Sequence, residues 1–463
     1  MKFKRYILIL MMLSLVFASC QKYVDIKKSS LQSFLTTAND CQLLLDNYSL
    51  FNTGYPYDGE ASSDDYYLTP DTYNIQDYIS VEDLSIYTWL PGAIRAGSEQ
   101  WVGPYNKIYH ANLVLETVQT LTGTENQTVL NNVRGSALFM RAYALWHLAQ
   151  LYTRPYGSSS AADPGLPIHL VSDVNDNPGR GTVTETYAQI VKDLTEAAAL
   201  LNSTSTVSSR PNKAAAYAML ARVYLSMEDY NQALTSATSA LDLYNKLIDF
   251  NSIDPENPVP FRRFNDEVIF HSILANNDFL AAGSSDFPTA EISPDFVAKY
   301  DPNDLRKSLF FQQNSDGGYR FSGNYEPTSG SNLFNGLTTD ELYITRAECY
   351  ARTGNATAAV ADLNLLLRTR WASGTYVDIT AVSVDDALAK ILAERQKELI
   401  MRGLRWTDLR RLNKDARFKT DQSRTIVTET ATKVYTLPAN DPRYTLLIPQ
   451  EVITNSKLTQ NQR

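Results

Sequence analysis

The sequence predicts a mostly α-helical protein in which about four helical pairs of the tetratricopeptide type stack into a superhelix. Two segments, residues 214–243 and 340–370, fit the template of the two-helix repeat. Other segments space their apolar residues as amphipathic helices do. Between them lie three long segments without that period, rich in Gly, Pro, Ser and aromatic residues. We therefore expect a helical scaffold that carries long loops and a few short strands.

In the first repeat, large and small side chains alternate where two packed helices should interlock. Counted from Leu220 as the first core position, the template positions hold Ala221, Tyr224, Tyr230, Ala233, Ala237 and Ala240. In the second repeat they hold Tyr343, Ala347, Tyr350, Ala359, Leu363 and Leu366, with a turn at Thr353, Gly354 and Asn355. Small alanines allow two helices to approach closely, and tyrosines fill the space between them.

Four further segments have the apolar spacing of amphipathic helices: residues 101–121, 133–152, 184–201 and 385–412. The last of these opens with two acidic residues, which are favoured at the start of a helix. Together with the two repeats they give about eight helices, or roughly four pairs. Trp101, at the start of the first segment, is predicted to belong to the core.

Three segments, 52–97, 254–336 and 416–463, have little helical period. Loops of this length are usually functional or disordered, and their aromatic content argues against disorder. We expect a single domain over residues 20–463. Its helical scaffold should lie at roughly 100–155, 184–250 and 338–415, and a ligand- and partner-binding face at roughly 50–98, 254–336 and 416–463.

Residues 1–19 have the pattern of a secretory signal peptide. A basic start is followed by an apolar run over residues 6–17, which is too short to span a bilayer. Small residues then stand directly before Cys20, as a lipoprotein signal peptidase requires. We expect residues 1–19 to be removed and Cys20 to carry the lipid, because two or three acyl chains hold a protein durably on a membrane. Ordinary cleavage, with Cys20 as a bystander, is the alternative.

The charge of the chain excludes some partners. The sequence has 42 basic and 51 acidic residues, a net charge of −9. Without residues 1–19 the balance is 39 against 51, a net charge of −12, which disfavours nucleic acid. Cys41 and Cys349 are too few for a disulfide framework and too far apart for a metal motif, so they either pair or remain buried thiols.

The motifs of common enzyme classes do not occur: there is no H-E-x-x-H, no phosphate loop and no G-x-S-x-G turn. His147 lies on an apolar helix face, which favours a core role. Asp64 with Asp65, or Glu394 with Glu398, offer paired carboxylates for glycoside hydrolysis. The second pair lies among arginines one helical turn apart, which favours an ion-pair network. We expect no catalytic residues, no metal site and no cofactor, and leave a structural calcium ion open.

Aromatic residues concentrate in residues 55–89, which hold seven tyrosines and Trp89. A sugar ring has an apolar face that stacks on aromatic rings, and a rim of hydroxyls that binds carboxylates and amides. We expect ligand contacts from Tyr66, Tyr67, Tyr73, Tyr87 and Trp89, with Asp65 and Asn74 binding the rim. A second aromatic group flanked by glycines adds Tyr319 and Tyr325. The alternative is that these rings pack the loops onto the helices.

Several motifs, taken in order, resemble one protein family. They are Trp101-Val-Gly-Pro-Tyr105-Asn-Lys-Ile108, Arg134-Gly135 to Arg141-Ala142-Tyr143, Gly165-Leu-Pro167, Arg210-Pro-Asn-Lys-Ala214, Leu342-Tyr343 to Ala347-Glu348, Glu394 to Glu398, Gly403-Leu-Arg405 to Asp408-Leu-Arg410, Ile448-Pro449-Gln450-Glu451 and Leu458 to Asn461. In order and spacing they are similar to the SusD/RagB outer-membrane lipoproteins of Bacteroidetes, from Cys20 almost to the C terminus.

The resemblance implies a SusD-like fold with a tetratricopeptide-like scaffold and a ligand face built from loops. It also implies a position at the cell surface as a lid over a SusC-like TonB-dependent outer-membrane transporter. The cargo of such proteins is an oligosaccharide or polysaccharide, or in some members a peptide, and it is passed on without catalysis. Tyrosine-rich faces bind both kinds of cargo, so the sequence leaves that choice open. A carboxylate-based glycoside hydrolase is the less favoured alternative.

Overall fold

The computed structural model describes residues 35–74, 79–277, 280, 290–327, 332–428 and 431–463. Helices dominate this part of the chain and its strands are short, which confirms the predicted fold class. None of the described helices is both long and apolar enough to cross a membrane. The signal segment and Cys20 lie outside the described residues.

Five short helices open the described chain: α1 (Ala38–Leu45), α2 (Tyr48–Phe51), α3 (Asp58–Ser62), α4 (Pro70–Asn74) and α5 (Val81–Tyr87). Thr37, Asn47 and Ser80 cap α1, α2 and α5, because each side chain accepts a backbone N–H of the first turn. The segment 52–97, expected to be a loop, is therefore partly helical.

The two longest helices of the described chain, α6 (Glu99–Leu121) and α7 (Gln127–Tyr152), pack side by side. Every residue of α7 from Gly135 to Tyr152 is buried, so this half is enclosed on all sides. A strand pair, β1 (Pro164–Pro167) and β2 (Arg180–Thr182), leads into α8 (Val183–Leu200), which also packs against α7. Trp101 and His147 are buried as predicted.

The first repeat is confirmed as α9 (Lys213–Ser226) and α10 (Tyr230–Leu243), which pack against each other. Ala221, Ala233, Ala237 and Ala240 have no exposed surface. Because a methyl group is the whole side chain at these positions, the two helix axes can approach closely.

In the described residues between α10 and the second repeat, the helices and strands are short: β3 (Val268–Phe270), α11 (Pro294–Val297), α12 (Arg306–Phe310), β4 (Phe311–Gln313), β5 (Tyr319–Phe321) and β6 (Leu337–Thr338). β3 pairs with β6 and β4 pairs with β5, both antiparallel. In the second pair Phe311 stands opposite Phe321, and Gln313 opposite Tyr319.

The second repeat is confirmed as α13 (Thr339–Arg352) and α14 (Ala356–Arg368). Gly354 turns the chain between them with a φ of +91°, a conformation that glycine adopts without strain. Cys349 of α13 is a buried free thiol, as is Cys41 of α1, so the two cysteines do not pair.

The single helix expected over residues 385–412 is wrong. The chain forms α15 (Val384–Glu398) and α16 (Arg405–Leu412), separated by a turn. Met401 and Gly403 in this turn have positive φ angles of 57° and 70°, which end the helix.

A hairpin follows, made of β7 (Gln422–Val427) and β8 (Thr432–Leu437), and α17 (Gln450–Asn455) lies near the C terminus. Side chains of β7 alternate between buried and exposed, so one face of the hairpin packs on the protein. Over the residues that the structure describes, the strands form four two-stranded sheets.

Buried ion pairs fasten the segment between the repeats to the helices. Glu398 accepts from Arg306 at 2.9 Å and from Arg370 at 2.8 Å, and Arg306 also donates to Glu394 at 2.6 Å. Burial raises the pKa of the Glu398 carboxyl, but Arg370 and Arg306 outweigh it and hold that pKa at about 2. The interpretation of Glu394 and Glu398 as an ion-pair network is confirmed.

Asp65, expected to bind ligand, is 3% exposed and holds the turn between α15 and α16 instead. One carboxylate oxygen accepts the Met401 N–H at 3.2 Å, while neighbouring Glu60 accepts the Gly403 N–H at 2.9 Å. Burial, and then the charge of Glu60, raise the pKa of Asp65 well above its ordinary value despite nearby Arg405. Both carboxylates thus accept hydrogen bonds from the backbone of the turn.

We expect the Glu398→Gln variant to lose about 3 kcal/mol of unfolding free energy, because it replaces the carboxylate shared by Arg306 and Arg370 with a neutral amide whose NH₂ group faces one of these buried cations. Urea unfolding of the purified protein measures this loss. The control is Glu196→Gln, which breaks a half-exposed pair with Arg134 and should cost less than about 1 kcal/mol. Equal losses in the two variants would contradict a special role for Glu398.

A second prediction concerns pH. The folded-state pKa of Asp65 is raised, so its contribution to stability is present below the ordinary aspartate pKa and lost as pH rises through the folded value. The Asp65→Asn variant keeps an acceptor for Met401 and has no charge to bury. It should therefore be more stable than the wild type at pH 8, on the order of 1 to 2 kcal/mol, with the difference vanishing toward pH 4.

Urea midpoints from pH 4 to pH 8 measure the effect, and Asp242→Asn, at an exposed position of α10, is the control. A pH-independent difference between wild type and Asp65→Asn would show that the Asp65 carboxyl titrates normally in the folded protein.

Candidate functional site

A short extended segment at residues 290–292 joins the two aromatic groups that the sequence singled out. Tyr67 and Glu291 exchange both backbone hydrogen bonds, at 2.8 and 2.9 Å, and the Ile292 N–H donates to the Tyr319 carbonyl at 2.7 Å. Residues far apart in the chain thus meet on one small sheet. We call the side of this area that carries the Glu291 carboxylate the capture face, defined by Tyr67, Glu291 and Asn314.

The capture face is polar and centred on Glu291, which is itself only 6% exposed. The Tyr67 hydroxyl donates to one carboxylate oxygen at 2.6 Å, and the Asn314 amide donates to the other at 2.9 Å. Gly318 lies against the same carboxylate so closely that a Cβ atom there would overlap it. The carboxylate is therefore fixed by neutral donors, and no Lys or Arg of the described chain forms an ion pair with it.

Tyr67 keeps part of its ring exposed at this position. Burial, and then the hydrogen bond to Glu291, raise the pKa of the Tyr67 hydroxyl above its ordinary value. The hydroxyl thus remains protonated and donates to the carboxylate across the physiological pH range.

Tyr319 is half-buried and stands opposite Ile292, whereas Tyr67 stands opposite Glu291. Because successive side chains of an extended strand point to opposite sides, Tyr319 lies on the other side of this sheet from the Glu291 carboxylate. The structure joins the two aromatic groups by backbone pairing without stacking their rings.

Tyr73 and Asn74 end helix α4, where Tyr73 is half-buried and Asn74 is exposed. Burial, and then neighbouring Tyr435 of β8, raise the pKa of Tyr73 to about 12. Residues 75–78, which follow directly and include Tyr78, lie outside the described part of the chain. Ligand contact by Tyr73 and Asn74 stays a prediction, as it does for Tyr67 and Tyr319.

The expected exposure of Tyr66, Tyr87 and Trp89 is wrong: they are 4%, 1% and 4% exposed. Their rings surround the guanidinium of Arg424, at centroid distances of 5.4, 3.6 and 4.4 Å respectively. Cation–π contacts of this kind are strongest away from water, so the rings and the arginine bury each other.

The polar atoms of these three rings are also used inside the protein. The Tyr66 hydroxyl and the Trp89 indole N–H donate to backbone carbonyls at 2.6 and 2.9 Å, and the Tyr87 hydroxyl accepts a backbone N–H at 2.9 Å. These three residues therefore follow the alternative stated for the aromatic residues, in which the rings pack the loops onto the helices.

Tyr325, expected on the ligand face, is fully buried. Its hydroxyl donates to Glu267 at 2.6 Å, and the Arg402 guanidinium lies 3.7 Å from its ring centroid. It therefore belongs to the buried ion-pair region. Glu291 and Asn314 are polar residues of the capture face that sequence reasoning missed, since neither stands in a motif or an aromatic cluster.

Carboxylate pairs considered for hydrolysis are held by arginines. Arg405 binds Asp64 through two nitrogens, at 2.5 and 2.8 Å, and Arg306 binds both Glu394 and Glu398. A glycosidase needs one carboxyl that carries a proton and a second facing the substrate. Among the described residues, no group of three or more His, Cys, Asp or Glu is arranged to hold a metal ion.

Two family models and one curated protein match parts of the chain. Residues 22–225 match a SusD-like family model described as starch-binding and associating with the outer membrane, and residues 339–463 match the model of the SusD family. A SusD-like protein of Formosa agariphila is 31% identical over 138 residues. That match spans 30% of this chain and 25% of the relative.

Solved structures share the fold over nearly their whole length. A SusD superfamily protein from Bacteroides thetaiotaomicron has a TM-score of 0.73 and 22% identity, covering 92% of this chain and 100% of its own. A SusD-like carbohydrate binding protein from Bacteroides vulgatus has a TM-score of 0.68 and 19% identity, covering 91% and 97%. For the surface glycan-binding protein A from Bacteroides uniformis the values are 0.69 and 16%, covering 92% and 99%. This agreement shows the shared fold, and the two family-model matches, over residues 22–225 and 339–463, show that the chain belongs to the SusD/RagB family.

Proposed function

We propose that the protein captures a nutrient glycan at the cell surface and delivers it unchanged to a SusC-like TonB-dependent transporter in the outer membrane. The observation that carries this proposal is the capture face, where a fixed carboxylate lies beside the partly exposed ring of Tyr67. A tyrosine ring can stack on the C–H face of a sugar, and the half-buried Asn314 can bind its hydroxyls, while the buried Glu291 holds both side chains in place. Membership of the SusD/RagB family supports the same role.

The chemistry of the face supports binding rather than catalysis. Glu291 is fixed by Tyr67 and Asn314 as an acceptor of hydrogen bonds. Of the paired carboxylates elsewhere, Asp64, Glu394 and Glu398 are bound by arginines, and Asp65 is buried against the turn between α15 and α16. Stacking on an aromatic face of about 100 Å² contributes roughly 2 to 3 kcal/mol before ordering costs. A few such contacts give micromolar to millimolar affinity, which allows release to a transporter.

Native affinity electrophoresis tests glycan capture. The full chain, processed at Cys20 and extracted in detergent, is run through gels that contain plant, fungal or host polysaccharides. We expect one polymer to retard the protein, and the Tyr67→Ala variant to bind that polymer about tenfold to thirtyfold more weakly. The control is Tyr217→Ala, a half-exposed tyrosine on helix α9.

Three outcomes would contradict the proposal. If Tyr67→Ala is retarded as strongly as the wild type, the polymer does not bind at the capture face. If no polymer retards the protein, the result points to peptide cargo. Release of new reducing ends from the retarding polymer would show a hydrolase. Circular dichroism of each variant confirms that it is folded before binding is compared.

We propose further that Cys20 carries the lipid that holds the protein on the outer membrane. The Cys20→Ala variant should lose incorporation of labelled palmitate and appear in the soluble fraction of the cell, because the acyl chains supply the membrane affinity. Cys41→Ala, which removes a buried thiol, is the control and should stay membrane-bound. A Cys20→Ala protein that still sediments with labelled membranes would contradict the anchor.

A further inference from the structure

A groove of about 500 Å³ lies along the N-terminal half of helix α6. Its walls are α6, the chain that follows β1 at residues 167–178, and residues 452–458 at and after α17. It shares no lining residue with the capture face. Its volume falls in the range usual for small-molecule sites.

The floor of the groove is aromatic. Trp101, Tyr105 and Tyr109 follow each other at intervals of four residues on α6, so they lie on one side of the helix with a rise of about 6 Å per step. Trp101 is buried and supports the ring of Tyr105, with centroids 5.1 Å apart. Tyr105 and Tyr109 remain partly exposed. The groove therefore presents two aromatic faces in a row.

The floor is held rigid before any ligand arrives. The Tyr105 hydroxyl donates to the Pro167 carbonyl at 2.9 Å, and its ring meets His169 edge to face at 5.5 Å. Asn112 of α6 donates to the carbonyls of His169 and Val171, both at 3.1 Å. Because the wall and the floor are tied together, a ligand would pay little to order them.

The rim carries negative charge and contains no lysine or arginine. Asp173 and Asp176 line it together with the amides Asn106 and Asn177. His169 lies 3.4 Å from Asp176, and burial lowers the pKa of His169 more than Asp176 raises it, so the ring is neutral at physiological pH. Such a rim accepts hydrogen bonds from hydroxyls and repels carboxylates and sulfates.

The walls do not suit an extended peptide. Pro167 and Pro178, both in the wall that follows β1, have no backbone N–H to offer. Recognition of a peptide strand depends on a regular row of such backbone partners. A ring with an apolar face and a hydroxyl rim needs only the aromatic faces and side-chain acceptors that the groove has.

We propose that this groove is a second carbohydrate site, which takes a neutral oligosaccharide stacked on Tyr105 and Tyr109 with its hydroxyls bound by Asp173 and Asp176. The site is independent of the capture face, so either can exist without the other. On one polysaccharide chain the two sites would act together, since a chain bound at one site is held at high local concentration near the other.

Hydrogen–deuterium exchange tests the site locally. The full processed chain in detergent is incubated with maltohexaose, cellohexaose, xylohexaose, mannohexaose, an oligogalacturonate or hexa-arginine. We expect one neutral hexasaccharide to slow exchange in the segment 168–177. The Tyr109→Ala variant should need about tenfold more of that sugar for the same protection, because it removes one stacking face.

The control variant is Tyr350→Ala, which changes a half-buried tyrosine of α13 far from the groove in sequence. In this variant the sugar should protect the segment 168–177 as it does in the wild type. Tyr67→Ala should also leave protection of 168–177 unchanged, so failure of the capture face is distinguished from failure of the groove.

The proposal is overturned if no neutral sugar protects the segment, or if Tyr109→Ala is protected at wild-type concentrations. It is overturned equally if the oligogalacturonate protects as well as the neutral sugars, or if hexa-arginine alone protects. The last result would identify the groove as a site for basic peptides.

Discussion

The arrangement of this molecule depends on burying arginine charge against carboxylates that come from distant parts of the chain. Glu398 ends α15, yet its two partners are Arg306 of α12 and Arg370 beyond α14, and Arg370 also binds Glu267 before β3. A guanidinium buried without a partner costs several kcal/mol, which disfavours arrangements of the segment between the repeats that separate these charges. The ion pairs thus help to fix how this segment packs on the helices.

The capture face inherits its position from these contacts. Arg306 opens α12, which runs directly into β4, and β4 pairs with β5, whose Tyr319 accepts the Ile292 N–H. Tyr67 reaches the same segment from the N-terminal third of the chain, where Arg405 holds Asp64 nearby. The face is thus made of loops, but each loop is tied within a few residues to the helical scaffold. Because this surface is already ordered, less binding free energy is lost in ordering it when a ligand binds.

How far the sequence predicts these features follows from the range of the interactions concerned. Helices and repeats were predictable, because the alanines at 221, 233, 237 and 240 pack against neighbours within the same repeat. Exposure of the loop aromatics was not, because Tyr87 and Trp89 are buried by Arg424, more than 300 residues away. Gly403 is a local indication of the break between α15 and α16. The carboxylate that accepts its N–H, Glu60, again lies far away in the chain. The role of Glu291 depends likewise on Tyr67 and Asn314, which meet it only in the folded protein.

A protein that captures a nutrient for a transporter has to hold its cargo and then release it, and that requirement limits how strong any one site can be. A single stacked ring contributes about 2 kcal/mol, so one site of this kind exchanges its ligand quickly. If both proposed sites bind sugar, a polymer long enough to occupy the two together would be held better than a fragment that occupies one. The net charge of −9 and the acidic rim of the groove favour neutral chains over anionic ones. Length and charge of the glycan, rather than tight recognition of one sugar, would then decide what is retained at the surface and what is let go to the channel.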